Sequence, residues 1–490
     1  MQNPSKKHSE KQQVPKMVSR AFFGLILATL VFAIVPFGAV WPVPLTLATL
    51  FACFTACAGT LVYAAPVRGR WLFNTILSAL AAMIAWVFLQ ASTVLPAVFS
   101  NPVWHDLGML AIGYGGSVSI EPADAIYTLM YLGLPVLTFL SALTILRSDD
   151  ESRRLITFIT MGGAAIAIYG LLQFLLFPQT NLFLTKTAYI DSLTATFINR
   201  NSAGTFLGLV CLVLLRYGWS IQREMRFAEV ILYSKGNRPS KKKALRRLLA
   251  VIMLLGLTAI ALFLTKSRGA IASSFIAVAF LSFMLMAEKP ATRLTSFSQI
   301  QKSRQWPIFM RLVLTIAVMA FAVVVFGGRV LMRAEVKGDD DGRFCVLPGI
   351  LELVKTQPIL GYGFGAFRYA FPPYRDPNCG LSLVWDRAHN SYLEGWGGLG
   401  AIFFIVLVVV LAALIIAHLI GLKTRRRMRS YASLGLASLL LVVLHAFVDF
   451  SLQIPGVATY LAALLGATSS ISLRRQTNAG EETTASPALP

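Results

Sequence analysis

Asp386-Arg387-Ala388-His389-Asn390 soon gives way to Ala401-Ile402-Phe403-Phe404-Ile405-Val406-Leu407-Val408-Val409-Val410-Leu411-Ala412-Ala413-Leu414-Ile415-Ile416-Ala417, an apolar run without a single charge. A helix needs roughly 20 apolar residues to cross a hydrocarbon core of about 30 Å, and the stretch 391–419 meets that length. Comparable runs stand at about 21–40, 43–65, 71–97, 124–146, 154–177, 201–218, 248–265, 269–287, 308–327, 431–450 and 456–473. A backbone in lipid must satisfy its own hydrogen bonds, and these runs are about twice the length of a barrel strand. The expected fold is therefore an all-α polytopic membrane protein of about 12 transmembrane helices. Composition agrees: 56% of the 490 residues are hydrophobic, 13% are charged, and the mean hydropathy is +0.68.

The formal net charge of +22 invites a nucleic-acid reading, but its distribution gives a better one. When the loops are assigned to alternate sides of twelve spans, one side holds 32 of the 44 Lys and Arg with 9 acidic residues. The other side holds 12 basic and 13 acidic residues. This is the positive-inside asymmetry of a membrane protein. It predicts both termini in the cytoplasm, and it turns the large loop 328–389, between helices nine and ten, outward. No nucleic-acid partner is expected; membrane lipids are. The clusters Lys241-Lys242-Lys243 and Arg425-Arg426-Arg427 are read first as topology determinants, with anionic headgroup binding as the alternative. Residues 1–17 and 475–490 are too polar to offset ordering entropy and are expected to be disordered cytoplasmic tails around a membrane domain 18–474. The first span lacks an obvious cleavage site after it and is expected to remain. No repeat of transporter type is visible.

Chemistry is expected in the outward loop. From Phe344 to Lys355, the spacing of Val346, Leu347, Ile350, Leu351 and Val354 predicts a short amphipathic helix lying at the outer interface. His389 stands at the mouth of the tenth span, followed by Asn390 and, about one turn on, Glu394. An imidazole near its ordinary pKa can take a proton from a hydroxyl; the bland reading is a helix-end anchor. His445, four residues before Asp449, reads as a structural pair. Arg268 sits in the tight outward turn Thr265-Lys266-Ser267-Arg268-Gly269, where a charge is costly unless it faces a cavity or partner. Arg343 is its natural second, since two guanidinium forks can neutralise a diphosphate; snorkelling or pairing with Asp339, Asp340 and Asp341 is the alternative. Those three acids read as a solvated loop rather than a metal site. Gly361, Gly363 and Gly365 lack the spacing of a nucleotide loop and are expected to permit close backbone approach. Cys53, Cys57 and Cys211 lie in spans and read as packing residues. Cys345 and Cys379 share the outward loop and are a candidate disulfide where that compartment is oxidising.

Phe197-Ile198-Asn199-Arg200-Asn201-Ser202-Ala203, Ser267-Arg268-Gly269, Gly342-Arg343, Pro358-Ile359-Leu360-Gly361-Tyr362-Gly363 and His389-Asn390-Ser391-Tyr392-Leu393-Glu394, the last ending in Gly398-Leu399-Gly400, together resemble the O-antigen ligase and polymerase superfamily over about residues 190–410. The resemblance implies a glycosyltransferase of the bacterial inner membrane, without metal or other cofactor. Such an enzyme moves a glycan from undecaprenyl diphosphate to an acceptor hydroxyl on the periplasmic side, the acceptor being a lipid or a glycan. By matching motif, Arg268 and Arg343 bind the donor diphosphate and His389 is the catalytic base. Asn199, Arg200, Asn201, Tyr362, Asn390 and Glu394 are candidate substrate contacts. A polymerase that uses a lipid-linked repeat unit as acceptor shares the motifs. A polysaccharide or lipid transporter is the reading from another class, opposed by the placement of most charges at span ends.

Overall fold

The computed structural model describes residues 14–63, 69–109, 116–233, 241–288, 342–378 and 384–474. Their helices are α1 (Lys16–Ile34), α2 (Pro42–Tyr63), α3 (Arg70–Ala91), α4 (Pro102–Met109), α5 (Pro122–Ile145), α6 (Asp149–Leu176), α7 (Arg200–Tyr233), α8 (Lys241–Leu264) and α9 (Arg268–Met286). They continue with α10 (Gly342–Thr356), α11 (Phe367–Ala370), α12 (Ser391–Leu399), α13 (Ile402–Thr424), α14 (Arg429–His445) and α15 (Pro455–Leu473). The described strands, Thr180–Asn181 and Leu184–Thr185, form one small antiparallel hairpin. Among the described residues, ten helices are long and apolar enough to cross a membrane, and α14 is a shorter apolar helix. The protein is an all-α polytopic membrane protein. The run 308–327, expected as the ninth span, lies outside the described residues, as do residues 1–13 and 475–490 of the tails.

Helix starts follow local chemistry. Ser148 and Glu151 form a reciprocal capping box at α6, Ser267 caps α9, and Pro122 and Pro455 open α5 and α15. α15 is the axis of the bundle: its apolar window is wholly buried, with α5, α6, α13 and α14 packed around it. Gly456, Thr459, Ala463, Gly466, Ala467 and Ser470 keep its surface small enough for backbones to approach. At the other extreme, only 22% of the α13 window is buried. Its exposed Ile405, Val408 and Ile416 suit contact with lipid.

The ends of the spans form two chemically distinct faces. On one, Arg425 and Arg474 both bond Asp149, Arg223 pairs with Glu288 at 2.9 Å, and Arg147 donates to the Tyr63 carbonyl. The opposite face gathers the starts of α7, α9 and α15 and the ends of α3, α8 and α14. It also carries an outer layer built on its own core of Val346, Ile350, Leu353, Tyr362, Phe367, Phe371 and Ala388. The amphipathic helix expected from Phe344 is present as α10. Its inward side is Val346, Ile350, Leu353 and Val354, whereas Leu347 and Leu351 are exposed.

The stretch 391–419 is not one helix. It breaks between α12 and α13 at Gly400, whose φ of +68° belongs to glycine, and a Cβ there would stand 2.0 Å from the Ile359 carbonyl oxygen. Tyr362 N–H and Gly363 N–H donate to the carbonyls of Gly397 and Gly398 at 2.8 and 3.0 Å. Gln90 at the end of α3 donates to the carbonyls of Leu360 and Gly398. The glycine segment thus seats backbone on backbone and fixes α12 as a short entry helix in front of the span.

Candidate active site

His389 stands directly before α12. Its φ of +52° is left-handed, a strained conformation for a residue with a side chain. Six hydrogen bonds hold the segment there. The Glu394 carboxylate accepts from Ala388 N–H at 2.8 Å and from Arg387 Nη1 at 3.1 Å, and Arg387 Nη1 also donates to Gln453 Oε1 at 2.8 Å. The Asn390 side chain accepts from the N–H groups of Tyr392 and Leu393, both at 3.0 Å, and donates to the Phe447 carbonyl. Glu394, with its side chain only 8% exposed, therefore braces the loop from inside, and Asn390 is its helix cap.

The His389 ring is 21% exposed, flanked edge-on by Phe450 and Trp385 at centroid distances of 4.9 and 5.6 Å. Its Nδ1 lies 3.4 Å from Oδ2 of Asp449. Asp449 is buried, and other donors meet its carboxylate: Asn201 Nδ2 at 2.5 Å on Oδ2 and Ser451 Oγ at 2.9 Å on Oδ1. A buried carboxylate with its oxygens engaged in this way can orient an imidazole and stabilise its positive charge. Asp449 is the residue that sequence reading did not link to His389. The available signal was a lone acid among apolar residues at the end of an apolar helix. His445 is also here, with Nδ1 2.9 Å from Thr205 Oγ1. The Thr205 hydroxyl donates to the Asn201 carbonyl, so it accepts from a protonated Nδ1 of His445.

The first turn of α7 contributes more than Asn201. Asn199 Oδ1 accepts from Asn201 N–H at 2.7 Å, and the Arg200 guanidinium lies over the Tyr189 ring, 5.4 Å from its centroid. Arg268 is exposed at the start of α9, directly after the cap Ser267. The adjacent Gly269 is seated on the 445–448 segment: a Cβ there would meet Val448 at 2.6 Å and His445 at 3.3 Å. The start of α9 is thus packed against the segment whose next residue is Asp449. Beside it, Lys266 is held at a φ of +54° and donates to Asp191 at 3.0 Å. Lys186 is buried, which lowers its ammonium pKa, and it donates to the Ser192 carbonyl.

Tyr362 lies apart from this constellation, in the outer-layer core. Its hydroxyl is 2.6 Å from both Thr356 Oγ1 and the Tyr374 hydroxyl, and burial pushes its pKa up to about 12. Cys345 is disulfide-bonded, whereas Cys53, Cys57 and Cys211 are free thiols. The Arg343 side chain, Asp339, Asp340, Asp341 and Cys379 lie outside the described residues.

No curated protein matches the chain. Against family models, residues 248–408 match the O-antigen ligase family, a segment that begins in α8, takes in α9, α10, α11 and α12, and ends in the first turns of α13. Arg268, His389 and Glu394 fall within the match, while Asn201 and Asp449 come from outside it. Over residues 248–408, about a third of its length, this polytopic membrane protein is accordingly similar to the O-antigen ligase family.

Proposed function

We propose that the chain is an inverting glycosyltransferase that moves a glycan from undecaprenyl diphosphate to an acceptor hydroxyl at the periplasmic surface of the bacterial inner membrane. The observation that carries this is the His389–Asp449 pair, a half-buried imidazole backed by a buried carboxylate at the outer end of the bundle. With Nδ1–H directed to Asp449, Nε2 is left to take the acceptor proton. The acceptor oxygen then bonds to the anomeric carbon as the bond from that carbon to the diphosphate breaks, which inverts the centre. Arg268 and Arg343 neutralise the departing diphosphate. Arg200 and Asn199 stand at the edge of the same site as substrate contacts. Asn201 acts through Asp449, and Glu394 and Asn390 through the His389 loop.

The orientation follows from charge. The face with Arg147, Arg223, Arg425 and Arg474 is assigned to the cytoplasm, with both termini, and the His389 face to the periplasm. A periplasmic location suits the disulfide-bonded state of Cys345, for which Cys379 is the proposed partner. The test is transfer from a polyprenyl-diphosphate glycan with lipid A-core and lipid-linked repeat units offered as competing acceptors. Product on lipid A-core supports a ligase, and product on the repeat unit assigns the same chemistry to a polymerase. Glycan crossing a proteoliposome membrane without a new glycosidic bond would contradict both.

A further inference from the structure

We propose that His445, at the end of α14, is a positioning residue for the transfer reaction: its imidazole holds the start of α7, which presents Asn201 to Asp449, in register with the start of α9, which carries Arg268. The ring is only 2% exposed, and a buried histidine is ordinarily a satisfied core residue. The two edges of this ring, however, both meet backbone that carries site residues. Nδ1 lies 2.9 Å from Thr205 Oγ1, and because the Thr205 hydroxyl donates to the Asn201 carbonyl at 3.1 Å, it is Nδ1 that carries the proton and donates. Thr205 stands one turn after Asn201 on α7, so this bond fixes the turn from which Asn201 Nδ2 reaches Asp449 Oδ2. The other edge of the ring faces α9: a Cβ on Gly269, the residue after Arg268, would stand 3.3 Å from Cδ2 and 3.4 Å from Nε2.

The three helix ends also close on one another around the ring. Gly204, directly before Thr205, is seated on α9, where a Cβ would meet Ala270 at 2.7 Å and Ser267 at 3.3 Å. The chain leaving His445 stays in a tight turn, with Val448 N–H donating to the His445 carbonyl at 3.0 Å, and Asp449 follows. The backbone of that turn holds the His389 loop. The Ala446 carbonyl accepts from Ser391 N–H at 2.9 Å, the Phe447 carbonyl from Asn390 Nδ2 at 3.0 Å, and the Asp449 carbonyl from Ser391 Oγ at 2.9 Å. Segment 445–449 therefore meets α12 through its carbonyls, and α7 and α9 through the His445 ring. Arg268, at the diphosphate end of the proposed reaction, and His389 with Asp449, at its proton-accepting end, are tied to one another through this segment. A displacement of about 1 Å between such groups can cost about 100-fold in rate. Loss of the Nδ1–H bond releases α7 without removing any group that touches substrate.

This role rests on the glycosyltransferase reading of the site, and one experiment separates the two. Full-length wild type, His445→Leu, His445→Asn and Thr205→Val are assayed in detergent for transfer from a polyprenyl-diphosphate glycan, with melting profiles recorded alongside. Leucine fills the buried site but cannot donate, whereas asparagine places an amide N–H near the position of Nδ1. His445→Leu and Thr205→Val should each lower kcat about 10–100-fold, with the KM for donor changed by less than about three-fold. His445→Asn should recover most of that loss, although its buried amide makes it melt no higher than His445→Leu. Should His445→Leu fail to fold, Thr205→Val breaks the same bond from the α7 side. Activity that follows melting across the series would make His445 a packing residue and overturn the proposal. Wild-type rates in folded His445→Leu or Thr205→Val would overturn the role and leave the transfer reading intact; absence of glycosidic product from wild type would overturn that reading and the role with it.

Discussion

Asn201 and Asp449, 248 residues apart in sequence, meet through a 2.5 Å hydrogen bond from Asn201 Nδ2 to Asp449 Oδ2. The same carboxylate oxygen lies 3.4 Å from His389 Nδ1. One oxygen thus ties the start of α7, the segment after α14 and the loop before α12 into a single site. His389, the proposed base, is positioned by parts of the chain on both sides of the family-matched segment.

Asp449→Asn preserves shape and can keep a bond to Asn201, but it removes the negative charge behind the imidazole. It should lower kcat by about 100-fold or more, with little change in thermal stability. Steady-state transfer kinetics and a detergent melting curve measure the two separately. A variant with near-normal kcat would remove Asp449 from the mechanism.

Glu394→Gln weakens the brace that joins Arg387 and the Ala388 N–H to α12. Loss of the charge-assisted bond should cost about 1–3 kcal/mol. It should also depress kcat more than the affinity for either substrate, because the strained His389 backbone is released. Unchanged melting together with a selectively raised KM would instead make Glu394 a substrate contact.

Much of this was legible in the sequence because it is local. Apolar run length predicted the ten long apolar helices among the described residues, and the periodicity from Val346 predicted α10. The tight turn at Arg268 and the loop end at His389 stood out as polar chemistry beside apolar runs. What was not legible depends on contacts between distant segments. Asp449 gains its role only when α14 returns it to His389. Glu394 carries a charge, yet its partners Arg387 and Ala388 bury it, and no local pattern reports that. The division of 391–419 into α12 and α13 depends on the Ile359 carbonyl pressed against Gly400. Hydropathy reads through such a break because both sides of it are apolar.

Gly400→Ala should therefore be costly out of proportion to its size. The new Cβ would meet the Ile359 carbonyl oxygen at 2.0 Å, on a backbone with φ of +68°. A destabilisation on the order of 3 kcal/mol is expected. Fluorescence-detected size exclusion after graded heating would register it, and a variant as heat-resistant as wild type would contradict the packing described for the break.

Cys345→Ser should loosen the outer layer. With Cys379 as the proposed partner, closure of a loop of about 35 residues is worth roughly 3–4 kcal/mol in chain entropy. Peptide mapping without reductant should recover a 345–379 cross-link, and alkylation of both thiols in unreduced periplasm-facing protein would refute the pairing.

The central claim is that His389 is the base, and His389→Ala tests it most directly. The variant is purified in detergent, its folding is verified by an unchanged melting profile, and it is given a polyprenyl-diphosphate glycan with an acceptor. Glycosidic product should be undetectable while the donor is still bound. Product formed at the wild-type rate by the folded variant would contradict the account.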